Sequence, residues 1–223
     1  GNIESIDRLG KYIIISFSSE YLMIIHLRMT GKLVFDESGT SNSKYLRAAI
    51  ALDNSERLLF DDIRTFGKIE LIHRKDMGVY FNKLGKDALS NQLSAAVFID
   101  LLRKKKTNIK NFLLDQTIIA GLGNIYVNEI LFRCGINPLK NTADISDSQA
   151  KIIYQEMKKV LREAIKCNGT TISDYRRVDD KQGSFQNFLR VYGKKMCTLG
   201  HKIEKIQING RSTYFCPVCQ KND

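Results

Sequence analysis

The period of the apolar residues changes part-way along the chain, and this change restricts the possible folds more than any other feature. From residue 11 to residue 72, short segments rich in β-branched and aromatic residues alternate with turn-forming clusters such as ESGTSNS. This arrangement is typical of antiparallel strands. The segments are KYIIISF, YLMIIHL, GKLVF, RAAIAL and RLLFDD. We therefore predict an N-terminal antiparallel β-sandwich or barrel, with a boundary near residues 84–92.

Beyond that boundary the apolar residues follow a helical period. Ser146 and Gln149 have the spacing of a capping box at a helix start, and Asn168-Gly169 is typical of a helix end. The helix between them is predicted to bury one apolar stripe, formed by Ile152, Ile153, Met157, Val160, Leu161 and Ala164. TNIKNFLLDQ and NIYVNEILFRCG predict two shorter helices. A loop is expected from about 173 to 188, followed by a small β-hairpin within 191–219.

The net charge points to a polyanionic partner. The 223 residues contain 35 Lys+Arg against 24 Asp+Glu, a formal charge of +11. Nucleic acid is the first candidate, an anionic membrane surface is the second, and a merely basic soluble enzyme is the third. No apolar run is long enough to span a bilayer. We expect nucleic acid as the partner and no membrane.

The stretch GLGNIYVNE, residues 121–129, predicts an anion site. Gly121 and Gly123 permit positive φ and close approach of a partner, and Asn124 suits the N-cap of the next helix. Unpaired amides at a helix start attract phosphate, and the upstream run KKKTNIK adds Lys104, Lys105, Lys106 and Lys110. The alternative is a glycine-assisted turn between packed helices, with a solvated lysine run.

The cysteines predict a metal site. Five cysteines, an odd number, do not suit a secreted disulfide framework, and we expect a cytoplasmic protein. Cys216-Pro-Val-Cys219 is a CxxC knuckle of the kind that binds tetrahedral zinc, and Cys197 and His201 are the available partners. The alternative is a hairpin without zinc, stabilised by side-chain packing. The intervening NGRST predicts a turn that exposes Arg211.

Two further turns place a large apolar residue beside basic ones. HLRMTGK contains Met29, and DDIRTFGK contains Arg64 and Phe66. Met29 and Phe66 have the size and apolar character of side chains that insert as wedges into a base stack, and Arg64 is placed to fill the space behind them. The alternative is that both apolar side chains belong to the β-sandwich core.

Together these stretches resemble the formamidopyrimidine-DNA glycosylase family, the bacterial repair enzymes that remove oxidised purines. The most specific matches are Q-x4-GLGNIYVNEILFRCGINP, HLRMTGK and GRSTYFCPVCQ. The resemblance extends from LGKYIIISF to FCPVCQ, which is essentially the whole chain.

The resemblance implies an α+β fold in three parts, with DNA in a cleft. These are an N-terminal antiparallel β-sandwich (1–85), a helix–two-turn–helix domain (92–175) and a C-terminal zinc-finger β-hairpin (188–223). It also implies one structural Zn²⁺, for which the ligands available in this chain are Cys197, His201, Cys216 and Cys219. The expected partner is double-stranded DNA that contains an oxidised purine or an abasic site, bound by a monomer.

The resemblance also implies a role for each candidate site residue. Lys11 helps to deliver a proton during strand cleavage, and Arg211 holds phosphate and assists the second elimination. Met29, Arg64 and Phe66 fill the gap left by the extruded base. The remaining DNA-binding residues are His26, Lys106, Lys110 and Asn124, and the segment 183–188 corresponds to the base-capping loop.

The implied chemistry starts with extrusion of the damaged base, because C1′ is shielded in the duplex. A secondary amine then attacks C1′, releases the base and forms a Schiff base. β-Elimination and δ-elimination follow and nick the strand.

The chain departs from the family pattern in three places, at the nucleophile, at the first zinc-ligand pair, and at a DNA-contacting histidine whose place is taken by Lys44 or Tyr45. The family begins Pro-Glu, and its terminal proline nitrogen is the nucleophile, whereas this chain begins Gly1-Asn2. We expect that a segment of several dozen residues is missing, and that the chain as written binds damaged DNA without excising the base. The family's first Cys-x2-Cys zinc pair falls on Met196 and Leu199, so the zinc ligands are expected to shift to Cys197 and His201.

Two other functions remain open from the sequence. One is a non-catalytic damaged-DNA-binding fragment. The other is an endonuclease VIII-like glycosylase for oxidised pyrimidines, although GLGNIY favours the purine branch.

Overall fold

A computed structural model describes residues 1–172 and 175–221, and the chain divides into two compact units. The first unit consists of Gly1–Asn82 and Ala164–Asn187, and the second consists of Lys83–Glu163 and Phe188–Asp223. The fold is α+β, as predicted.

The first unit is a β-sandwich of two antiparallel sheets. One sheet has the order β1-β2-β3-β7 and the other the order β4-β6-β5. The strands are β1 (Ile3–Leu9), β2 (Tyr12–Phe17), β3 (Tyr21–His26), β4 (Gly31–Asp36), β5 (Leu46–Ala51), β6 (Arg57–Asp62) and β7 (Lys68–His73). A short helix, α1 (Met77–Tyr80), follows β7.

Alternation of the side chains brings the two sheets together. Ile15 and Ile25 of one sheet pack with Leu33 and Phe60 of the other in one buried cluster. Because successive side chains of a strand point to opposite faces, Ile15 and Ile25 face the second sheet while their immediate neighbours point to the other side. The prediction of a sandwich is confirmed, and β1 is added to the predicted strands.

The second unit contains most of the helices. They are α2 (Ala95–Arg103), α3 (Ile109–Leu114), α4 (Asn124–Arg133) and α5 (Asp147–Lys166), which runs past the division after Glu163. Two short strands, β8 (Lys86–Asp87) and β9 (Ile119–Ala120), pair in parallel. The chain then forms the antiparallel hairpin β10 (Glu204–Ile208) and β11 (Arg211–Phe215), as predicted.

Both predicted ends of α5 are confirmed. The Ser146 Oγ accepts from the Gln149 N–H at 3.2 Å, and the Gln149 Oε1 accepts from the Ser146 N–H at 3.0 Å, which is the capping box. At the other end, Asn168 and Gly169 both have positive φ, and the Gly169 N–H donates to the Ala164 carbonyl at 2.8 Å.

The predicted apolar stripe of α5 is wrong at one position. Ile153, Met157, Val160, Leu161 and Ala164 are buried, but Ile152 is 46% exposed. Ile152 directly precedes Ile153, and adjacent helical residues lie about 100° apart around the axis, so they cannot both lie at the centre of one face.

The predicted loop at 173–188 contains one short 3₁₀ turn, Phe185–Phe188. Its first two residues, 173 and 174, lie outside the described residues. The Phe35 N–H of β4 donates to the Val178 carbonyl at 2.8 Å, so part of this loop runs along an edge of the sandwich. Among the helices in the described part of the chain, none has the length and apolarity needed to cross a membrane.

Candidate nucleic-acid and zinc sites

Two turns of the first unit bring Met29, Arg64 and Phe66 together on the surface. Met29 lies between β3 and β4, and Arg64 and Phe66 lie between β6 and β7. The Arg64 Nη1 lies 3.5 Å from the Met29 Sδ, and its guanidinium carbon lies 4.9 Å from the centre of the Phe66 ring. Met29 is 65% exposed and Phe66 is 53% exposed. The core alternative is therefore wrong for both, and we call these three residues the wedge cluster.

His26 is the last residue of β3 in the four-stranded sheet of the same unit, and Lys11 lies in the turn between β1 and β2. Lys11 is exposed and follows Gly10, whose positive φ of 59° makes the turn from β1 to β2. The half-buried His26 ring meets Tyr12 edge-on at 4.6 Å. Burial lowers the pKa of His26 to about 4, with the nearby charges of Arg28, Lys11 and Lys68 acting in the same direction.

His26 is therefore neutral at pH 7, and its tautomer follows from its contact. The Nδ1 accepts the Arg28 backbone N–H at 2.9 Å, so the ring proton resides on Nε2. The chemistry available at His26 is that of a neutral N–H donor, which suits a phosphate oxygen without adding a charge.

In the second unit, the glycine turn before α4 is held by Gln116. The Gln116 Oε1 accepts the Gly121 N–H at 2.9 Å, and its Nε2 donates to the Leu122 carbonyl at 3.0 Å. Gly121 has a φ of 106°, which favours glycine. Sequence reasoning missed this role of Gln116, although a side-chain amide five residues before a glycine turn is a usable signal.

The predicted N-cap at Asn124 is wrong. Gly123, with extended φ and ψ of −112° and 164°, occupies the N-cap position without a side-chain hydrogen bond, and Asn124 is the first residue of α4. The Asn124 Nδ2 donates instead to the Ser212 carbonyl at 2.9 Å.

Lys110 is buried, although the sequence predicted that it belongs to an exposed run of lysines. Lys106 is exposed, but Lys110 is fully buried, with 0% of its surface exposed. The Lys110 Nζ donates to the Ser212 carbonyl at 3.1 Å and to the Thr213 Oγ1 at 2.6 Å. Burial lowers the pKa of Lys110 to about 8, and the positive charge of Arg211 acts in the same direction.

Arg211 lies at the tip of the β10–β11 hairpin, as predicted. Asn209 and Gly210 have φ of 48° and 71°, the two positive values of a type I′ turn. Ile208 pairs with Arg211 across this turn, and Arg211 is exposed. Lys110 and Asn124 both bind the carbonyl of Ser212, the residue that follows Arg211. α3 and α4 therefore fix the position of the strand that carries Arg211.

The four predicted zinc ligands lie together beside the hairpin. The ligand atoms of Cys197, His201, Cys216 and Cys219 all lie within 4.8 Å of one another. The Cys197 Sγ is 3.9 Å from the Cys219 Sγ and 3.7 Å from the His201 Nδ1. A tetrahedral site with zinc–sulfur bonds of about 2.3 Å has sulfur–sulfur edges of ~3.8 Å, so this set fits one structural zinc.

The shift of the first ligand pair is also confirmed. Met196 and Leu199, which occupy the family's first cysteine positions, are exposed. The Gly200 N–H donates to the Cys197 carbonyl at 2.9 Å, and the Cys197 N–H donates to the His201 carbonyl at 2.9 Å. This turn places His201 next to Cys197, so a C-x3-H pair can supply two zinc ligands in the same way as a C-x2-C pair.

Three family models match the chain. The model of the formamidopyrimidine-DNA glycosylase N-terminal domain matches residues 1–69, and the model of the H2TH domain of the same glycosylases matches residues 84–176. The model of the zinc finger found in FPG and IleRS matches residues 200–222.

Individual relatives match over nearly the whole chain. The formamidopyrimidine-DNA glycosylase of Protochlamydia amoebophila is 38% identical over 227 residues, covering 99% of this chain and 82% of that protein. The corresponding protein of Lactobacillus gasseri is 38% identical over 98% of this chain and 81% of its own length. The structure of Lactococcus lactis Fpg in complex with DNA containing an abasic site has a TM-score of 0.91 and 36% identity, covering 98% of this chain and 82% of that one. With matches of this extent and identity, the chain belongs to the formamidopyrimidine-DNA glycosylase family of base-excision repair enzymes.

Proposed function

We propose that this chain recognises an oxidised purine or an abasic site in duplex DNA, as part of a repair reaction in which the oxidised base is released and the strand is nicked by β,δ-elimination. The wedge cluster carries the proposal. Two large apolar side chains remain exposed at neighbouring turns, and one guanidinium contacts both. Exposure of this kind is unfavourable in water and is typical of a binding surface.

The chemistry of the wedge cluster suits a gap in a base stack. A thioether and a phenyl ring replace the lost stacking contacts, and a guanidinium stacks on aromatic faces and donates to base edges. Each extruded or missing base leaves such a gap, and unstacking costs a few kcal/mol that a wedge partly offsets. An intact duplex offers no space for these side chains, so the cluster favours damaged sites.

The second unit supplies contacts to the phosphates. Lys106 and Arg211 are exposed cations, and the N-terminus of α4 favours an anion through its amides and dipole. These contacts position the DNA without reading its sequence. Solved relatives support this partner, since their titles describe Lactococcus lactis Fpg with Fapy-dG DNA and MutM with DNA containing carbocyclic 8-oxo-G.

For the elimination steps we propose roles for Lys11 and Arg211. Lys11 is an exposed primary amine at the turn before β2, and its ammonium form is a proton donor at neutral pH. Arg211 is an exposed guanidinium, which binds a leaving phosphate through two parallel hydrogen bonds.

The test compares affinities for two duplexes that differ only at one nucleotide. One contains a tetrahydrofuran abasic analogue and the other is undamaged. The chain is expected to prefer the abasic duplex at least about tenfold, and Met29→Ala and Phe66→Ala are each expected to reduce this preference.

Leu71→Ala is the matched control. Leu71 is also a large exposed apolar residue of the first unit, at 62% exposed, but it lies on β7 outside the wedge cluster. Its variant is expected to keep the preference. Equal affinity of the unmodified chain for the two duplexes would contradict the proposed function.

A further inference from the structure

Asp62 is a buried carboxylate directly beneath the wedge cluster. It is the last residue of β6 and only 1% exposed. The burial by itself raises the pKa of Asp62, but hydrogen bonds from Thr30, Gly67 and Arg64 outweigh it, and the net shift is downward. Asp62 is therefore ionised at neutral pH, and its two oxygens act as acceptors.

One oxygen of Asp62 binds the turn that carries Met29. The Thr30 hydroxyl donates to the Asp62 Oδ1. Thr30 directly follows Met29, and the turn is closed by the Gly31 N–H, which donates to the Leu27 carbonyl at 3.0 Å. This turn also contains Arg28 with a positive φ of 54°, a conformation that non-glycine residues adopt only when the surroundings hold them there.

Both oxygens of Asp62 bind the turn that carries Arg64 and Phe66. The Arg64 N–H donates to Oδ1 at 3.1 Å, and the Gly67 N–H donates to Oδ2 at 2.7 Å. Arg64 precedes and Gly67 follows the Thr65-Phe66 pair, and Thr65 has a positive φ of 58°. The Arg64 N–H also lies 3.1 Å from the Thr30 Oγ1, so the two turns share one hydrogen-bond network.

We propose that Asp62 is a positioning residue for lesion recognition, because its carboxylate fixes the two wedge-bearing turns against each other so that Met29, Arg64 and Phe66 enter the DNA as one unit. The inference rests on the proposed function and adds a residue to it. Asp62 itself does not contact DNA, since its side chain is buried.

The charge of Asp62 supports this role over a direct one. DNA is a polyanion, and a carboxylate near it weakens binding through electrostatic repulsion. A positively charged protein gains nothing for affinity from a buried negative charge at this position. Asp62 raises the affinity for the damaged duplex by fixing the wedge side chains before binding, because side chains that are already positioned lose less conformational entropy on binding.

Asp62→Asn is the main test, because it keeps the shape and replaces one acceptor oxygen by an NH₂ group. Either the Gly67 N–H or the Thr30–Arg64 pair then faces a donor instead of an acceptor. We expect the preference for the abasic duplex over the undamaged duplex to fall about tenfold, while affinity for the undamaged duplex stays within about twofold.

Asp36→Asn is the matched control. Asp36 is also a buried carboxylate at the end of a strand of the sandwich, and it accepts from Arg57 at 2.7 Å and from the Ser41 Oγ at 2.8 Å. It holds the 36–41 turn, which carries no wedge residue. Its variant is expected to lose stability but to keep the preference.

A double-mutant comparison separates positioning from general stability. In a Met29→Ala/Phe66→Ala background, Asp62→Asn is expected to change the preference less than twofold, because the two apolar side chains that it positions are absent. A full tenfold effect in that background, or an equal loss in Asp36→Asn, would overturn the inference.

Two variants of Thr30 keep the test decisive if Asp62→Asn does not fold. Thr30→Ser retains the hydroxyl and is expected to keep the preference, whereas Thr30→Val removes it and is expected to lower the preference several-fold. An unchanged preference in Thr30→Val would also overturn the inference. Failure of the proposed function is a separate result, in which the unmodified chain itself shows no preference.

Discussion

Lys106 and Lys110 stand four residues apart, and their different surroundings give them different roles. Lys106 is exposed and remains available to a phosphate. Lys110 is buried, and its Nζ holds the carbonyl of Ser212 and the hydroxyl of Thr213 in the strand that begins with Arg211. The first lysine is suited to long-range attraction of DNA, and the second to the internal geometry of its unit.

The burial of Lys110 predicts a specific dependence of stability on pH. Its pKa is about 8 in the folded state and about 10.4 in the unfolded chain. Between these values the unfolded chain binds more protons than the folded one, so the free energy of unfolding rises with pH. The cost of burying the charge is fully present below pH 8 and is relieved as pH rises through the folded pKa.

The measurement is denaturant unfolding of the zinc-loaded protein at pH 7.5 and pH 9.5. The unmodified chain is expected to gain about 1–2 kcal/mol more than Lys110→Met over this interval. Lys106→Met is the control and is expected to follow the unmodified chain. If Lys110→Met shows the same gain as the unmodified chain, Lys110 is not the group that titrates.

At the scale of elements, the β10–β11 hairpin depends on groups outside its own two strands. Two strands of five residues bury little apolar surface, and an isolated hairpin is marginal in water. Phe132 of α4 packs with Val191, Ile203 and Cys216 in one small cluster. The zinc site and this cluster together order the strand that carries Arg211.

Removal of zinc is therefore expected to unfold the hairpin selectively. With a strong chelator, the amides of residues 204–215 are expected to lose protection against hydrogen exchange, while those of the sandwich strands keep theirs. Elemental analysis is expected to give one zinc per chain. Cys216→Ser should lose the metal, and Cys167→Ser, a change at a cysteine outside the cluster, should retain it. Full protection of the hairpin without zinc would contradict this role.

The strands that the sequence predicted are short runs of β-branched and aromatic residues bounded by turn clusters, and KYIIISF and RLLFDD became β2 and β6. Burial along β6 does not follow its apolar residues, because Asp61 and Asp62 are buried while Leu58 is only half-buried. β1 gives no such signal, because six of its seven residues are exposed and its order comes from backbone pairing with β2. The helix α2 was not singled out, since its apolar run AAVFIDLLR suits several structures.

Within the site, the residue types were predictable, but some of their contacts were not. The zinc ligands followed from thiol and imidazole chemistry at short spacing. The burial of Lys110 and the position of Asn124 inside α4 were not predictable, because both depend on a hairpin some 90 to 100 residues later in the chain. Asp62 was missed for a similar reason, since its partner Thr30 lies 32 residues away.

At the scale of the whole molecule, the excess of positive charge predicts that binding weakens with salt. About four phosphate contacts by Lys and Arg give a slope near −4 for log K against log[salt]. Lys106→Met is expected to reduce the magnitude of this slope by about 1, because an exposed cation is removed. Lys110→Met is expected to leave the slope unchanged, because the buried Nζ contacts the protein. A slope near zero for the unmodified chain would exclude nucleic acid as the partner.

We propose that the wedge cluster enters the duplex at the damaged nucleotide. The most direct measurement is the fluorescence of 2-aminopurine placed next to a tetrahydrofuran abasic analogue, titrated with protein at fixed salt. Insertion separates the two bases that flank the gap. A saturable change in fluorescence is therefore expected with the unmodified chain and with Leu71→Ala, and a strongly reduced change with Met29→Ala and Phe66→Ala. Saturation of the same duplex by the unmodified chain with no change in fluorescence would show that the wedge cluster does not enter the duplex at the damaged nucleotide.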